Sequence, residues 1–291
     1  MTDVNRLVLT GLLLLITAVW GWTFTVVKDA IAGYGVISFL AVRFLIASIC
    51  LGAFGWRRMT RRSLLTGGAI GVILASGYLF QTFGLRTTTA TNSGLITSLF
   101  VVFAPLGSRV LFGVRTPATL WAAVGLGLLG LALLTGTGPS PLASGDLLTL
   151  GAAASFGLQI VLLSRHAKDH DPVALATGQV TSATAIFLVA WPFTEPFSWP
   201  SGEVWWDLLL TGVVATAAGY YVQTLAQRQL PATRAAIIFT LEAVFAVFFG
   251  HVLAGDRLTA VQVAGAVFVI GGVGLAEIGV AVRSGKRAAG P

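Results

Sequence analysis

The sequence predicts an all-α integral membrane protein of ten transmembrane helices, arranged as two inverted five-helix repeats. Three observations predict it. The chain of 291 residues is 56% hydrophobic and only 10% charged, whereas a soluble domain carries about a quarter charged residues, so lipid is the expected solvent. Ten stretches approach the roughly 20 apolar residues that cross a hydrocarbon core as a helix. Finally, residues 77–91, GYLFQTFGLRTTTAT, return at 219–233 as GYYVQTLAQRQLPAT, with seven of fifteen positions identical at an offset of 142.

The spans follow in order. Leu7–Val27 is uncharged and longer than a signal-peptide core, and no A-x-A-like site follows it, so it is expected to be the first span. Val36–Gly55 contains only Arg43. Ser63–Leu85 and Thr87–Ser108 are uncharged, and Pro117–Thr135 is short and glycine-rich. Leu147–Ser164, Val173–Thr194 and Leu208–Gln227 are uncharged, Ala235–Gly255 contains only Glu242, and Leu258–Val282 contains only Glu277. None alternates as a barrel strand would, and helices satisfy their own backbone in lipid.

The basic residues orient the bundle. With the N-terminus inside, the inner loops and ends collect Arg6, Arg57, Arg58, Arg61, Arg62, Arg109, Arg115, Arg165, Lys168, Arg228, Arg234, Arg283, Lys286 and Arg287. The outer side receives Lys28, Arg86 and Arg257. Fourteen against three is a positive-inside bias. It predicts cytoplasmic N- and C-termini in a multi-pass protein of a bacterial inner membrane. It also accounts for the net charge of +7 without a nucleic-acid partner. Cys50 is alone, so no disulfide forms within the chain. The segment TEPFSWPSGEVWW at 194–206 has the acids and tryptophans of a membrane-surface loop.

The repeat defines two units in one membrane domain, residues 1–138 and 139–291. The offset of 142 also pairs Leu95 with Ile237, Ser98 with Thr240, Leu99 with Leu241, Gly113 with Gly255 and Arg115 with Arg257. An offset of 136 pairs Gly21 with Gly157 and Arg43 with Gln179. Because each unit has an odd number of spans, the second enters from the opposite side, a mark of transporters that bind substrate near the repeat interface. Packing alone would also preserve such a duplication.

Candidate site residues come from the repeat and from polar groups within spans. Tyr78, Gln81 and Thr82 share one face of the third span, as do Tyr220, Gln223 and Thr224 on the eighth. At about 1.5 Å per residue, Tyr78 falls in the outer third and Tyr220 in the inner third, so the two motifs are expected to line opposite halves of one path. Hydrogen bonding between helices is the alternative role. Gly77 and Gly219 precede the tyrosines and are expected to permit close packing. Arg43 would hold a substrate carboxylate or pin helix-end carbonyls. Glu242 would meet a substrate amine, carry a proton, or bond a neighbouring helix. Trp20, Trp22 and Phe24, with Thr17 and Thr23, cluster on the first span, where Trp20 and Phe24 share a face that suits core packing or an aromatic pocket wall. Phe156 and Gln159 are their repeat mates. RHAKDHDP at 165–172 brings His166, Asp169, His170 and Asp171 together, but in a loop where charges are solvated, so no metal site is expected. No HExxH, GxSxG or P-loop pattern appears, and no cofactor is expected.

AVWGWTFTVVKDAI at 18–31 with FLAVRFLIAS at 39–48, and TRAAIIFTLEAVFAVFFGHVLAGDRLTAVQVAGAVFVIGGVGL at 233–275, resemble the first two and last two helices of the EamA-type, ten-helix branch of the drug/metabolite transporter superfamily. The resemblance covers nearly the whole chain. Ala243 stands where the family usually has proline, and Val114 where an acid is usual. The resemblance implies a central cavity and small metabolites as cargo, similar to aromatic amino acid exporters. It carries Trp20, Lys28, Arg43 and Glu242 over as motif positions.

The resulting expectation is a secondary transporter exporting small metabolites, amino acids and especially aromatic ones, by alternating access. The site set is Trp20, Arg43, Tyr78, Gln81, Gln159, Tyr220, Gln223 and Glu242, with Thr17, Lys28, Thr82 and Thr224 as outlying members. The expected partners are a small-molecule substrate and the bilayer. The rival cargoes are another metabolite or drug, such as a sugar or nucleoside. A membrane-embedded enzyme would need catalytic groups clustered at one depth, and a passive channel would show no trans-stimulation; neither is expected. The glycines of the fifth and tenth spans (Gly125, Gly127, Gly130; Gly271, Gly272, Gly274) suit either a homodimer or packing within the bundle.

Overall fold

The computed structural model describes residues 3–134, 143–254 and 259–288. The expected repeat boundary at 138/139 lies outside them, as do Gly255, Arg257 and the side chain of Glu277. Among the described residues the chain is helical, without strands. Eight helical segments are long and apolar enough to cross a membrane, and two shorter apolar helices, Ala118–Leu134 and Ala260–Ala276, complete the ten.

The elements are α1 (Asp3–Tyr34), α2 (Val36–Gly55), α3 (Arg61–Leu85), α4 (Ala90–Thr97), α5 (Phe100–Phe112), α6 (Ala118–Leu134), α7 (Ser144–His166), α8 (Pro172–Thr194), α9 (Gly202–Leu209), a π-helical segment (Leu210–Ala218), α10 (Gly219–Gln227), α11 (Ala232–Phe239), α12 (Leu241–Ala254) and α13 (Ala260–Ala288). Short polar residues start them as local chemistry requires. Thr60 caps α3 through the Ser63 N–H, and Asp171 caps α8 with Pro172 at its first turn.

The spans differ from expectation in three places. The fourth and ninth are each interrupted, at Ser98–Leu99 and at Thr240. Ser98 and Thr240 are repeat mates, and their hydroxyls bond the carbonyls of Gly94 and Ile237. Such back-bonding competes with the helical ladder, and hydropathy cannot register it because both sides stay apolar. The eighth span begins at Gly202 rather than Leu208, because the Ser201 hydroxyl caps α9 and draws Trp205 and Trp206 into the helix.

Core packing joins the two repeats rather than separating them. α3 lies against α7 and α8. A Cβ on Gly71 would sit 2.3 Å from the Gln179 carbonyl oxygen, so the backbones touch there and only glycine fits. α6 packs along α13, where Gly130 and Gly265 meet backbone to backbone, while Gly125 and Gly271 face open space. The glycines of these two spans thus divide between bundle packing and the outer face. Phe39, Leu40, Phe44, Phe187 and Leu208 fill the core between α2, α8 and α9.

Candidate functional site

A cavity of about 610 Å³ of empty space, part of it continuous with solvent, lies where the repeats meet. The eight residues of the expected site set, Trp20, Arg43, Tyr78, Gln81, Gln159, Tyr220, Gln223 and Glu242, all line it. The other lining residues are Thr23, Phe24, Val27, Leu85, Thr97, Phe100, Phe156, Ile160 and Phe239.

Fourteen of the seventeen fall into seven pairs related by the two repeat offsets. Trp20 corresponds to Phe156, Thr23 to Gln159, and Phe24 to Ile160. Tyr78 corresponds to Tyr220, Gln81 to Gln223, Thr97 to Phe239 and Phe100 to Glu242. The cavity therefore straddles the axis that relates the halves. Val27, Arg43 and Leu85 are the unmatched members, and all belong to the first half.

At the centre the Tyr220 hydroxyl donates to the Tyr78 hydroxyl at 3.0 Å. This corrects the expectation that the two motifs line opposite halves of a path. In a helix the Cα–Cβ bond tilts toward the N-terminus. α3 and α10 run in opposite directions, so each tyrosine leans back along its own helix and the two rings converge at 6.3 Å between centroids. Gly77 and Gly219 seat the flanking aromatics. An added Cβ would meet the Phe156 ring at 2.7 Å and the Trp20 indole at 3.0 Å respectively. The same exchange appears in the ring contacts, Tyr78 with Phe156 at 5.4 Å and Tyr220 with Trp20 at 5.8 Å.

The polar groups divide into a chain of bonded amides and groups that lack partners. Gln223 donates to Gln159 at 3.1 Å, Gln159 to Gln179 at 2.9 Å, and Gln179 to the Thr224 hydroxyl at 3.4 Å. Gln81 donates to Thr97 at 3.2 Å. The Trp20 indole N–H reaches the Ala215 carbonyl at 2.7 Å, inside the π-helical segment; such segments recur at functional sites. Arg43, 3% exposed, donates to the Thr216 hydroxyl at 2.8 Å and to Tyr78 at 3.4 Å, and lies over the Tyr78 ring at 5.0 Å. It bonds hydroxyls rather than helix-end carbonyls, and no carboxylate pairs with it among the described residues. Glu242 is 7% exposed and has no hydrogen bond or ion pair among them. Gln223 Oε1 is buried without a partner.

The outlying members lie elsewhere. Thr17 is buried and returns its hydroxyl to the Leu13 carbonyl. Thr82 is buried, turned from the cavity that Tyr78 and Gln81 line. Thr224 bonds the Tyr220 carbonyl and accepts from Gln179. Lys28 reaches the Thr88 carbonyl, beyond the cavity wall. One residue further along a helix turns a side chain by about 100°, so identity within a repeated motif does not ensure a shared face. Phe100 escaped the expected set, although the offset of 142 pairs it with Glu242, and Thr97 and Phe239 escaped it together as a repeat pair. His170 bonds the Ser63 hydroxyl through Nδ1 at 2.9 Å and Asp171 caps α8, so these two residues of RHAKDHDP serve packing and capping.

The model of the EamA-like transporter family matches residues 9–136 and again 143–277. An uncharacterized transporter of Archaeoglobus fulgidus is 35% identical over 264 residues, covering 89% of this chain and 82% of that protein. The uncharacterized transporter YoaV of Bacillus subtilis is 22% identical over 275 residues, covering 89% and 92%. A solved crystal structure matches with a TM-score of 0.77 at 18% identity, covering 92% of this chain and 96% of that one, a likeness of fold. The chain belongs to the EamA-like transporter family and is a multi-pass membrane protein.

Proposed function

We propose that this member of the family exports small amphipathic metabolites across the cytoplasmic membrane, with amino acids as cargo and aromatic ones preferred. The carrying observation is that Arg43 and Glu242 both line one buried cavity while neither has an ion-pair partner among the described residues. The Arg43 guanidinium keeps its charge, and a buried charge without a partner costs about 3–5 kcal/mol. A zwitterion satisfies both ends at once, its carboxylate taken by the guanidinium and its ammonium by the Glu242 carboxyl and Gln223 Oε1. Trp20, Phe24, Phe100, Phe156 and Phe239 supply an aromatic wall for an apolar side chain. A sugar phosphate would require several cations, and Arg43 is the one that lines the cavity.

The seven-pair lining supports alternating access about the repeat interface. Two copies of one unit can exchange shapes, so the same residues serve a cavity reached from either side. The positive-inside count supports termini in the cytoplasm. Each half forms a five-helix unit in this reading, and a single chain holds the whole site.

Counterflow in liposomes against a panel of labelled amino acids, sugars and nucleosides tests the assignment. Trans-stimulated uptake of aromatic or large aliphatic amino acids is expected. Arg43→Ala should remove it, and Glu242→Gln should lower it and flatten the dependence of the remaining flux on pH. Exchange of a sugar or nucleoside with no amino acid response would overturn the cargo, and flux that neither saturates nor responds to trans substrate would replace the carrier by a channel.

A further inference from the structure

The cavity is not symmetric about the repeat axis. It extends along Val27 and Leu85 in the first half and stops before their repeat mates, Leu163 and Gln227. At that blocked end Gln227 is fully buried. Its amide donates to the Ile160 carbonyl at 2.8 Å and to the Ser164 hydroxyl at 2.6 Å. Ser164 in turn donates to the Leu230 carbonyl at 3.4 Å. These bonds tie the end of α10 to the end of α7.

The end lined by Val27 and Leu85 carries the related contact. Lys28 and Thr88 are the repeat mates of Ser164 and Leu230, and the Lys28 ammonium donates to the Thr88 carbonyl. Leu85, the mate of Gln227, has no amide and makes no such tie. The two ends therefore bear one clasp each, built on equivalent positions, and only one is reinforced.

We propose that Gln227 is the latch of a gate between α7 and α10, and that its two bonds hold the cavity shut on the Gln227 side in this conformation. This rests on the alternating-access reading. Release of the latch lets the second half take the shape that the first half has here, opening a route past Leu163, while the first half closes around Val27. The Gln227 oxygen, buried and without a partner, marks the latch as incompletely satisfied. Such a contact can break and re-form more readily than a fully paired one.

The test replaces the latch by its own repeat mate. In a Cys50→Ser background, Leu163→Cys and Val27→Cys each report one end through their rate of modification by a small maleimide in detergent. Interhelical hydrogen bonds in membranes average about 0.6 kcal/mol, so loss of two shifts the balance about five- to tenfold. In Gln227→Leu, the Leu163→Cys rate should rise by that factor and the Val27→Cys rate should fall. Unchanged rates, or both rising together as in general loosening, would overturn the latch. If Gln227→Leu does not fold, Ser164→Ala, which removes the bond from Gln227 and the bond to the Leu230 carbonyl, decides in the same way with a shift of about five- to tenfold. Counterflow with no labelling response removes the latch and leaves transport standing. A labelling response in protein that exchanges no cargo does the reverse.

Discussion

Glu195 offers the most exacting test of how this bundle is held together. It follows the last turn of α8, and its carboxylate accepts from the N–H groups of Val36 at 2.9 Å, Ile37 at 3.2 Å and Ser38 at 2.9 Å, and from the Ser38 hydroxyl at 2.6 Å. The first N–H groups of a helix lack intrahelical partners, so a residue 157–159 positions away supplies the cap of α2. Gly35, at φ 96°, turns the chain from α1 into α2 directly beneath the carboxylate. Loss of an N-terminal cap costs about 0.5–2 kcal/mol, and loss of negative charge at a helix N-terminus about 0.3–1 kcal/mol. Partial exposure of Glu195 keeps the sum toward the lower part of that range. Glu195→Gln, which removes the charge and keeps the shape, should cost about 1–2 kcal/mol. At about 2–4 °C per kcal/mol for a large domain, the apparent Tm should fall by roughly 2–8 °C. Burial would raise the Glu195 carboxyl, but the Ser38 hydroxyl and the three backbone donors outweigh it and hold it below its ordinary value of 4.5. The unfolded chain therefore binds the proton first as pH drops. The stabilisation is complete above that ordinary value and is lost as pH falls through the lowered one. Melts of detergent-purified protein at one scan rate should show a gap between wild type and Glu195→Gln at pH 7 that closes in acid. Equal Tm values at neutral pH, or a gap that persists unchanged into strong acid, would refute the clamp.

Three further outcomes are expected. Burial first, and Arg62 next, lower the His170 pKa against the opposing pull of Asp169, with His166 lowering it slightly more. The Ser63–His170 contact should therefore be intact above the ordinary value of 6.5 and weaken as pH falls below it, seen as a Tm loss between neutral and mildly acid pH that His170→Gln lacks. Gly71→Ala would place a methyl 2.3 Å from the Gln179 carbonyl and should cost about 1–3 kcal/mol, read as a lower Tm or a broadened size-exclusion peak. Tyr220→Phe should lower counterflow and Tyr78→Phe should lower it further, since the Tyr78 hydroxyl also accepts from Arg43; the double variant should be little worse than Tyr78→Phe, because it deletes no further hydrogen bond; additive losses would separate their roles.

The number and order of spans were legible because hydropathy is a local property that a window along the chain can read. The duplication was legible for the same reason, since matched letters at a fixed offset need no coordinates. Together they pointed to Tyr78, Gln81, Tyr220 and Gln223, and the cost of charge in lipid pointed to Arg43 and Glu242. Which side of a helix each residue presents, and what lies opposite, depends on how helices cross, and that rests on contacts between residues far apart in the chain. The meeting of Tyr78 with Tyr220, the Glu195 cap on α2, and the tie of Trp20 to Ala215 in a π-helical turn all belong to that class. So does the one-sided extension of the cavity, because Leu85 and Gln227 occupy equivalent places and only packing reveals which of them closes its end.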